Sequence, residues 1–165
     1  KKVNELIESG AAALGVSDGI VKGDLILKED GEPVIVELAL RLSGGWFATH
    51  QIPAATGVDL VDVVMDFALG EKIDPTRLSP KFQKSTAIRY WFPESGQISS
   101  IYGESQLKEL DGLISYGFFR QVGDIQPEVK MHPDRFGYVM VQADTREAAL
   151  KNVNKGLGML SVAVQ

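Results

Sequence analysis

Apolar residues recur at helical spacing from the start of the chain. Val3, Leu6, Ile7, Ala11 and Leu14 fall on one helical face within 2–14, and Gly15 follows as a stop. The period then changes. Residues 20–28 and 34–42 read as two strands joined by "EDGE". Asp30-Gly31 suits a two-residue type I′ turn, because both central positions need positive φ. A turn centred there places Asp24 directly opposite Glu37. In the second strand Val34, Val36, Leu38, Leu40 and Leu42 form one face, expected to be core. Ile35, Glu37, Ala39 and Arg41 form the other, which Asp24 shares with Lys22 and Ile26.

Past the hairpin, the spacing predicts helices over 47–56 and 59–69, divided by Gly57, with Gly70 as cap and Pro75 as stop. Residues 71–84 hold neither period and mark a boundary, which gives domains over 1–75 and 76–165. In the second domain "STAIRYWFP" and "QISSIYG" read as a strand pair around "ESG". "ESQLKELDG" suits a short helix, and "LISYGFFRQVGD" and "FGYVMVQAD" are strand-like. "TREAALKNVNKGLGMLSV" reads as a helix capped by Thr145, with Ala148, Ala149, Val153, Leu157 and Leu160 at helical spacing. No internal repeat or low-complexity tract interrupts this order. The fold class is α+β, an antiparallel sheet with flanking helices followed by a small antiparallel β-rich lobe.

Composition narrows the function classes. The 165 residues are 44% hydrophobic, enough for a core, and carry a net charge of −5. An acidic balance argues against a nucleic-acid partner, whose phosphates call for a basic surface. No apolar run approaches the roughly 18 residues of a membrane span. The lack of cysteine excludes a disulfide framework and thiol catalysis, and fits a cytoplasmic setting. "KKVNELIESG" is already helix-like, so a piece of a longer polypeptide is expected.

Two carboxylates opposite each other weaken a sheet unless something offsets their repulsion. A divalent cation such as Mg²⁺, which favours carboxylate oxygens, is one candidate. A nearby Lys or Arg is another, and a slipped register with solvated acids is a third. "RLSGG" follows at once. Arg41 offers a fork for phosphate or carboxylate, and Ser43, Gly44 and Gly45 let backbone approach an anion. The plainer reading is that the glycines only turn the chain.

"VKGDLIL…GEPVIVELALRLSGGW…ATGVDLVDVVMDFALGE" resembles the C-terminal part of an ATP-grasp domain, as found in biotin carboxylase and many carboxylate–amine ligases. "PESGQISSIYG" and "DRFGYVMVQADTREAALKNV" are similar, less specifically, to the small lobe that closes such enzymes. The resemblance implies an ATP-grasp C-terminal subdomain. It implies that Asp24 and Glu37 hold Mg²⁺ (or Mn²⁺), and that Glu37 and Arg41 contact ATP phosphates, Arg41 in a catalytic role. It implies that Ser43, Gly44 and Gly45 receive the substrate, a small carboxylate or amino acid.

The expected reaction is ADP-forming ligation through an acyl phosphate, with an amine or thiol as acceptor. The family's third metal-binding side chain, an Asn, is Ala39 here, and Leu40 replaces a Pro. The family's nucleotide-clamping lysines and glycine-rich loop lie upstream of the matched segment. The partner implied is therefore the N-terminal ATP-grasp half of the same polypeptide, and the 165 residues alone are expected to be inactive. Self-association into a homodimer is left open. Two other readings stand beside the ligase: a non-catalytic, ATP-grasp-derived binding module, and a plain α+β domain with solvated acids.

Among the remaining residues, Arg89 alternates with apolar neighbours and is expected to point inward as a substrate ligand. His50 is expected to pack or cap. His132 and Arg135 belong to a loop and surface setting, with a cleft contact as the sharper alternative for Arg135. Trp91, Phe118 and Phe119 are expected in the core.

Overall fold

A computed structural model describes residues 1–165. The chain forms two compact units, one of residues 1–53 with 57–80, the other of 54–56 with 81–165. The fold is α+β, and every strand pairing is antiparallel.

The first unit opens with helix α1 (Lys2–Ala13), followed by strands β1 (Lys22–Leu27) and β2 (Pro33–Ala39). Helix and hairpin pack through glycine. A Cβ on Gly10 would lie 2.8 Å from Leu38 Cδ1, and one on Gly23 would lie 2.7 Å from Ile7 Cδ1. Both side chains therefore settle where a larger residue would clash.

The connection between the strands differs from the two-residue turn expected. It spans Lys28–Glu32, closed by the Lys28 N–H donating to the Glu32 carbonyl at 3.0 Å, with Gly31 at φ 79°. Leu27 consequently faces Pro33, and Ile35 faces Leu25. A bulge at Val36 then restores the register, so that Asp24 does face Glu37.

The bulge also overturns the expected core face. It breaks the two-residue alternation, so Ile35 joins Leu38 in turning toward α1 while Val36 is 62% exposed and Val34 is exposed as well. The second strand also stops at Ala39, leaving Leu40, Arg41 and Leu42 in the segment beyond it.

A π-helical turn (Phe47–Gln51) leads into α2 (Ile52–Thr56), closed by Gly57 in the left-handed region. Helix α3 (Leu60–Ala68) starts at Asp59, whose carboxylate accepts from the N–H groups of Val61 and Asp62. A 3₁₀ turn at Pro75–Leu78 is pinned to α3 by Arg77, which forks onto Asp62 and Asp66 at 2.7 Å each.

The second unit contains β3 (Ser85–Trp91), β4 (Gly96–Tyr102), α4 (Glu104–Lys108), β5 (Leu113–Phe118), β6 (Ile125–Gln126), a 3₁₀ turn (His132–Asp134), β7 (Gly137–Ala143), α5 (Arg146–Met159) and β8 (Ser161–Val164). They build two sheets, ordered β3-β7-β5 and β6-β4-β8. The expected pairing of β3 with β4 does not occur. Gly137–Val141 of β7 are all buried, and a strand apolar on both faces belongs at a sheet centre, so β7 takes β3 on one side and β5 on the other.

Helix α5 begins where Thr145 predicts, its hydroxyl accepting from the Ala148 N–H at 3.2 Å. It ends at Met159, however, and Val162 belongs to β8. Ala149 and Val153 join Ala87, Trp91, Val139 and Val141 in the core, and the Trp91 indole donates to the Leu157 carbonyl at 2.9 Å. Phe118 packs against this core, whereas Phe119 is 49% exposed and stacks on Tyr138. Phe119 lies beyond the last residue of β5, which is why its expected burial fails.

Candidate functional site

Asp24 and Glu37 face one another on the uncovered side of the β1–β2 hairpin, their side chains 51% and 54% exposed. Lys22 lies two residues before Asp24, on the same side of β1. Its ammonium hydrogen-bonds to Asp24 and sits 3.5 Å from Glu37 Oε1. Two carboxylates and one ammonium form a small network in which the internal cation offsets the repulsion. The hydrogen bond to Asp24 holds the Lys22 pKa above its ordinary value, with the charges of Asp24 and Glu37 acting in the same direction and burial opposing. Arg41 Nη2 is a looser neighbour at 3.9 Å from Glu37 Oε1, and its Nη1 donates to the Leu42 carbonyl.

The donor set fits a hard divalent cation. Both groups are carboxylates, accessible and adjacent, and Mg²⁺ commonly takes one or two of these plus water or phosphate oxygens. No third His, Cys, Asp or Glu joins them. Ala39, paired with Lys22, has no ligating atom. Lys22 occupies the position between the carboxylates, so it and a metal would compete.

Ser43, Gly44 and Gly45 follow Arg41, and the backbone then does something the sequence did not announce. Gly45 has φ 61° and Trp46 has φ 69°, the one non-glycine residue of the chain with positive φ. A bulky side chain in the left-handed region costs about 1–2 kcal/mol. Such strain is characteristic of functional segments held by their surroundings. The Trp46 carbonyl accepts from the N–H groups of His50 and Gln51, which starts the π turn. The only sequence signal was an aromatic residue directly after a Gly pair. His50 packs edge-on against Trp46 with ring centroids 5.2 Å apart, and its Nδ1 meets Thr49 Oγ1 at 2.8 Å.

A cavity of about 580 Å³ opens in this unit. Lys22, Arg41 and Ser43 contribute its polar wall, and Ile52, Val64 and Phe67 are among its apolar lining. Asp24, Glu37, Gly44 and Gly45 do not line it. The structure thus brings Asp24, Glu37, Lys22 and Arg41 together, and Lys22 and Arg41 stand between the carboxylate pair and the cavity, whose wall they share.

Arg89 belongs to the second unit. It is exposed rather than inward, with its Nη1 donating to the Ile88 carbonyl, which corrects the expected orientation. Arg89 lies on an edge strand, where its long charged side chain reaches solvent although Ala87 and Trp91, two residues to either side, are buried. Arg135 stacks on the Tyr90 ring at 3.9 Å, and its Nη1 lies 2.9 Å from His132 Nε2. Neither histidine lies in a metal-ligating cluster.

Residues 89–165 match the family model for L-amino acid ligase C-terminal domain 2. The chain is similar in structure to phosphoribosylglycinamide synthetase from Anaerococcus prevotii, with a TM-score of 0.82 and 19% identity, covering 96% of this chain and 40% of that one. It is similar to L-amino acid ligase from Bacillus licheniformis, with a TM-score of 0.80 and 19% identity, covering 99% of this chain and 42% of that one. A biotin carboxylase from Campylobacter jejuni, solved as a β-γ-ATP complex, matches with a TM-score of 0.67 and 16% identity, over 96% of this chain and 35% of that one. No curated protein matches the chain in sequence. The chain thus has the fold of the C-terminal region of ATP-grasp ligases, and it spans about two-fifths of the length of the first two.

Proposed function

We propose that this chain is the C-terminal part of an ATP-dependent, ADP-forming carboxylate–amine ligase, with domains over 1–75 and 76–165. The observation that carries the reading is the facing pair Asp24–Glu37, with Arg41 and the Ser43–Gly45 segment directly after it. In this reading Asp24 and Glu37 hold Mg²⁺ or Mn²⁺. When bound, the cation supplies charge neutralisation on the ATP phosphates.

Arg41 is close enough to Glu37 to share that environment, and its remaining N–H groups are suited to the phosphoryl group or the acyl phosphate. Ser43, Gly44 and Gly45 offer backbone N–H groups to the acceptor substrate. Arg89, exposed on β3, is free to meet the substrate carboxylate. The family model over 89–165 and the likeness to an L-amino acid ligase favour amino acids as substrates.

The nucleotide-clamping half of such a site is supplied by residues other than these 165, within the same polypeptide. The chain alone therefore should not turn over ATP. The test is ADP release with ATP, Mg²⁺ and mixed amino acids, by the chain alone and by the polypeptide that carries it upstream. ADP release by the longer protein that Glu37→Ala abolishes supports the ligase. Release by the isolated chain above a Glu37→Ala control contradicts the division of labour.

A second reading is a non-catalytic binding module of the same descent. Lys22 bridging both carboxylates and Ala39 in the third ligand position favour it. An inactive longer protein that still binds ATP would select it.

A further inference from the structure

The turn over residues 130–135 is held from several directions. Asp134 Oδ2 accepts from the N–H groups of Lys130 and Met131 at 3.0 and 2.9 Å. Arg120 donates to the carbonyls of Pro133, Asp134 and Arg135, and the fully buried Gln126 donates to Asp134 as well. Arg120 thus ties three successive carbonyls of the turn to one guanidinium, which restricts the turn. What this scaffold presents is His132 and Arg135 beside Tyr90.

The Arg135 guanidinium carbon lies 3.9 Å from the centroid of the Tyr90 ring, a cation–π contact that restrains the side chain from one side, as the His132 contact does from another. A guanidinium has no acceptor, so His132 Nε2 must accept from Arg135 and the imidazole proton must reside on Nδ1. The cluster therefore offers donors outward: the remaining Arg135 N–H groups and His132 Nδ1–H. No carboxylate comes within ion-pair distance of Arg135, in a chain with 22 acidic residues. The two acids closest to it in sequence are engaged elsewhere, Asp134 by backbone N–H groups and Glu128 by Lys130. A planar donor fork fixed in orientation matches two oxygens of one anion.

We propose that Tyr90, His132 and Arg135 form a binding site for a small oxyanion, either a carboxylate or a phosphate. The site stands within the second unit and does not depend on the reading of Asp24 and Glu37. The test titrates the 165-residue chain with sodium acetate and, separately, sodium phosphate, sodium chloride holding ionic strength constant. The His132 ring and Arg135 Nε–H resonances are followed by NMR. Saturating shifts with either anion, absent with chloride alone, are expected, and the anion that saturates identifies the source. Arg135→Lys keeps the charge but loses the fork, and should weaken binding at least about tenfold. Arg146→Ala, an equal or greater loss of charge elsewhere, should leave it unchanged. Non-saturating shifts with both anions, or equal binding by Arg135→Lys, would overturn the proposal.

Discussion

Asp24 and Glu37 face one another across β1 and β2, with the ammonium of Lys22 drawn in between them. The pair is already neutralised in part by the protein itself. A metal must therefore displace or push aside Lys22 to engage both carboxylates. Replacing Lys22 by Met should raise Mn²⁺ affinity several-fold, measured by calorimetric titration, while weakening the hairpin when metal is withheld. An unchanged affinity would mean that Lys22 does not compete.

The same network fixes a pH window. The Lys22 pKa is raised above 10.5, chiefly by the hydrogen bond to Asp24. The stability it contributes is complete below the unfolded value and is lost as pH rises through the folded one. Stability from this network should therefore be flat from neutral pH to about 10 and fall only above it. Thermal melts of the parent and Lys22→Met across that range should converge only at the alkaline end.

Asp134 shows the opposite sign. Its carboxyl is held below 3.8, first by the N–H groups of Lys130 and then Met131. Its contribution is present above the unfolded pKa and disappears as pH falls through the folded value. Amide resonances of Lys130 and Met131 should hold steady down to about pH 4 and move only below it. In Asp134→Ala they should show no such transition.

Gly103 has φ 96° at the start of α4, and a Cβ there would lie 1.9 Å from the Met159 carbonyl oxygen. Backbone strain and collision act together, so Gly103→Ala should destabilise the protein by at least about 2 kcal/mol in urea denaturation.

Leu107 is fully buried on α4 within the core of the second unit. Truncation to Ala should cost about 2–5 kcal/mol, from lost transfer energy plus a cavity. Equilibrium unfolding followed by Trp fluorescence would report it.

Local signals in the sequence translated well into structure. Thr145 caps α5, Gly57 closes α2, and Asp24 opposes Glu37. That last pairing holds although the turn itself differs, because a longer connection and a bulge at Val36 compensate. The bulge has no residue signature, and it reversed the faces of Val34, Val36 and Ile35. The β3–β7 pairing was hidden because it joins segments some fifty residues apart, while the nearby "ESG" invited a hairpin. Trp46 was hidden because backbone conformation is imposed by surroundings that spacing does not reveal. Lys22 was visible as a neighbour of Asp24, but its contact with both carboxylates is a matter of side-chain placement.

The central claim is that Asp24 and Glu37 hold a divalent cation. Paramagnetic broadening by Mn²⁺, mapped residue by residue in the amide spectrum of the chain, tests it directly. The prediction is broadening centred on Asp24 and Glu37 that Asp24→Asn and Glu37→Gln each abolish. Broadening that persists in both variants, or none in the parent, would contradict it.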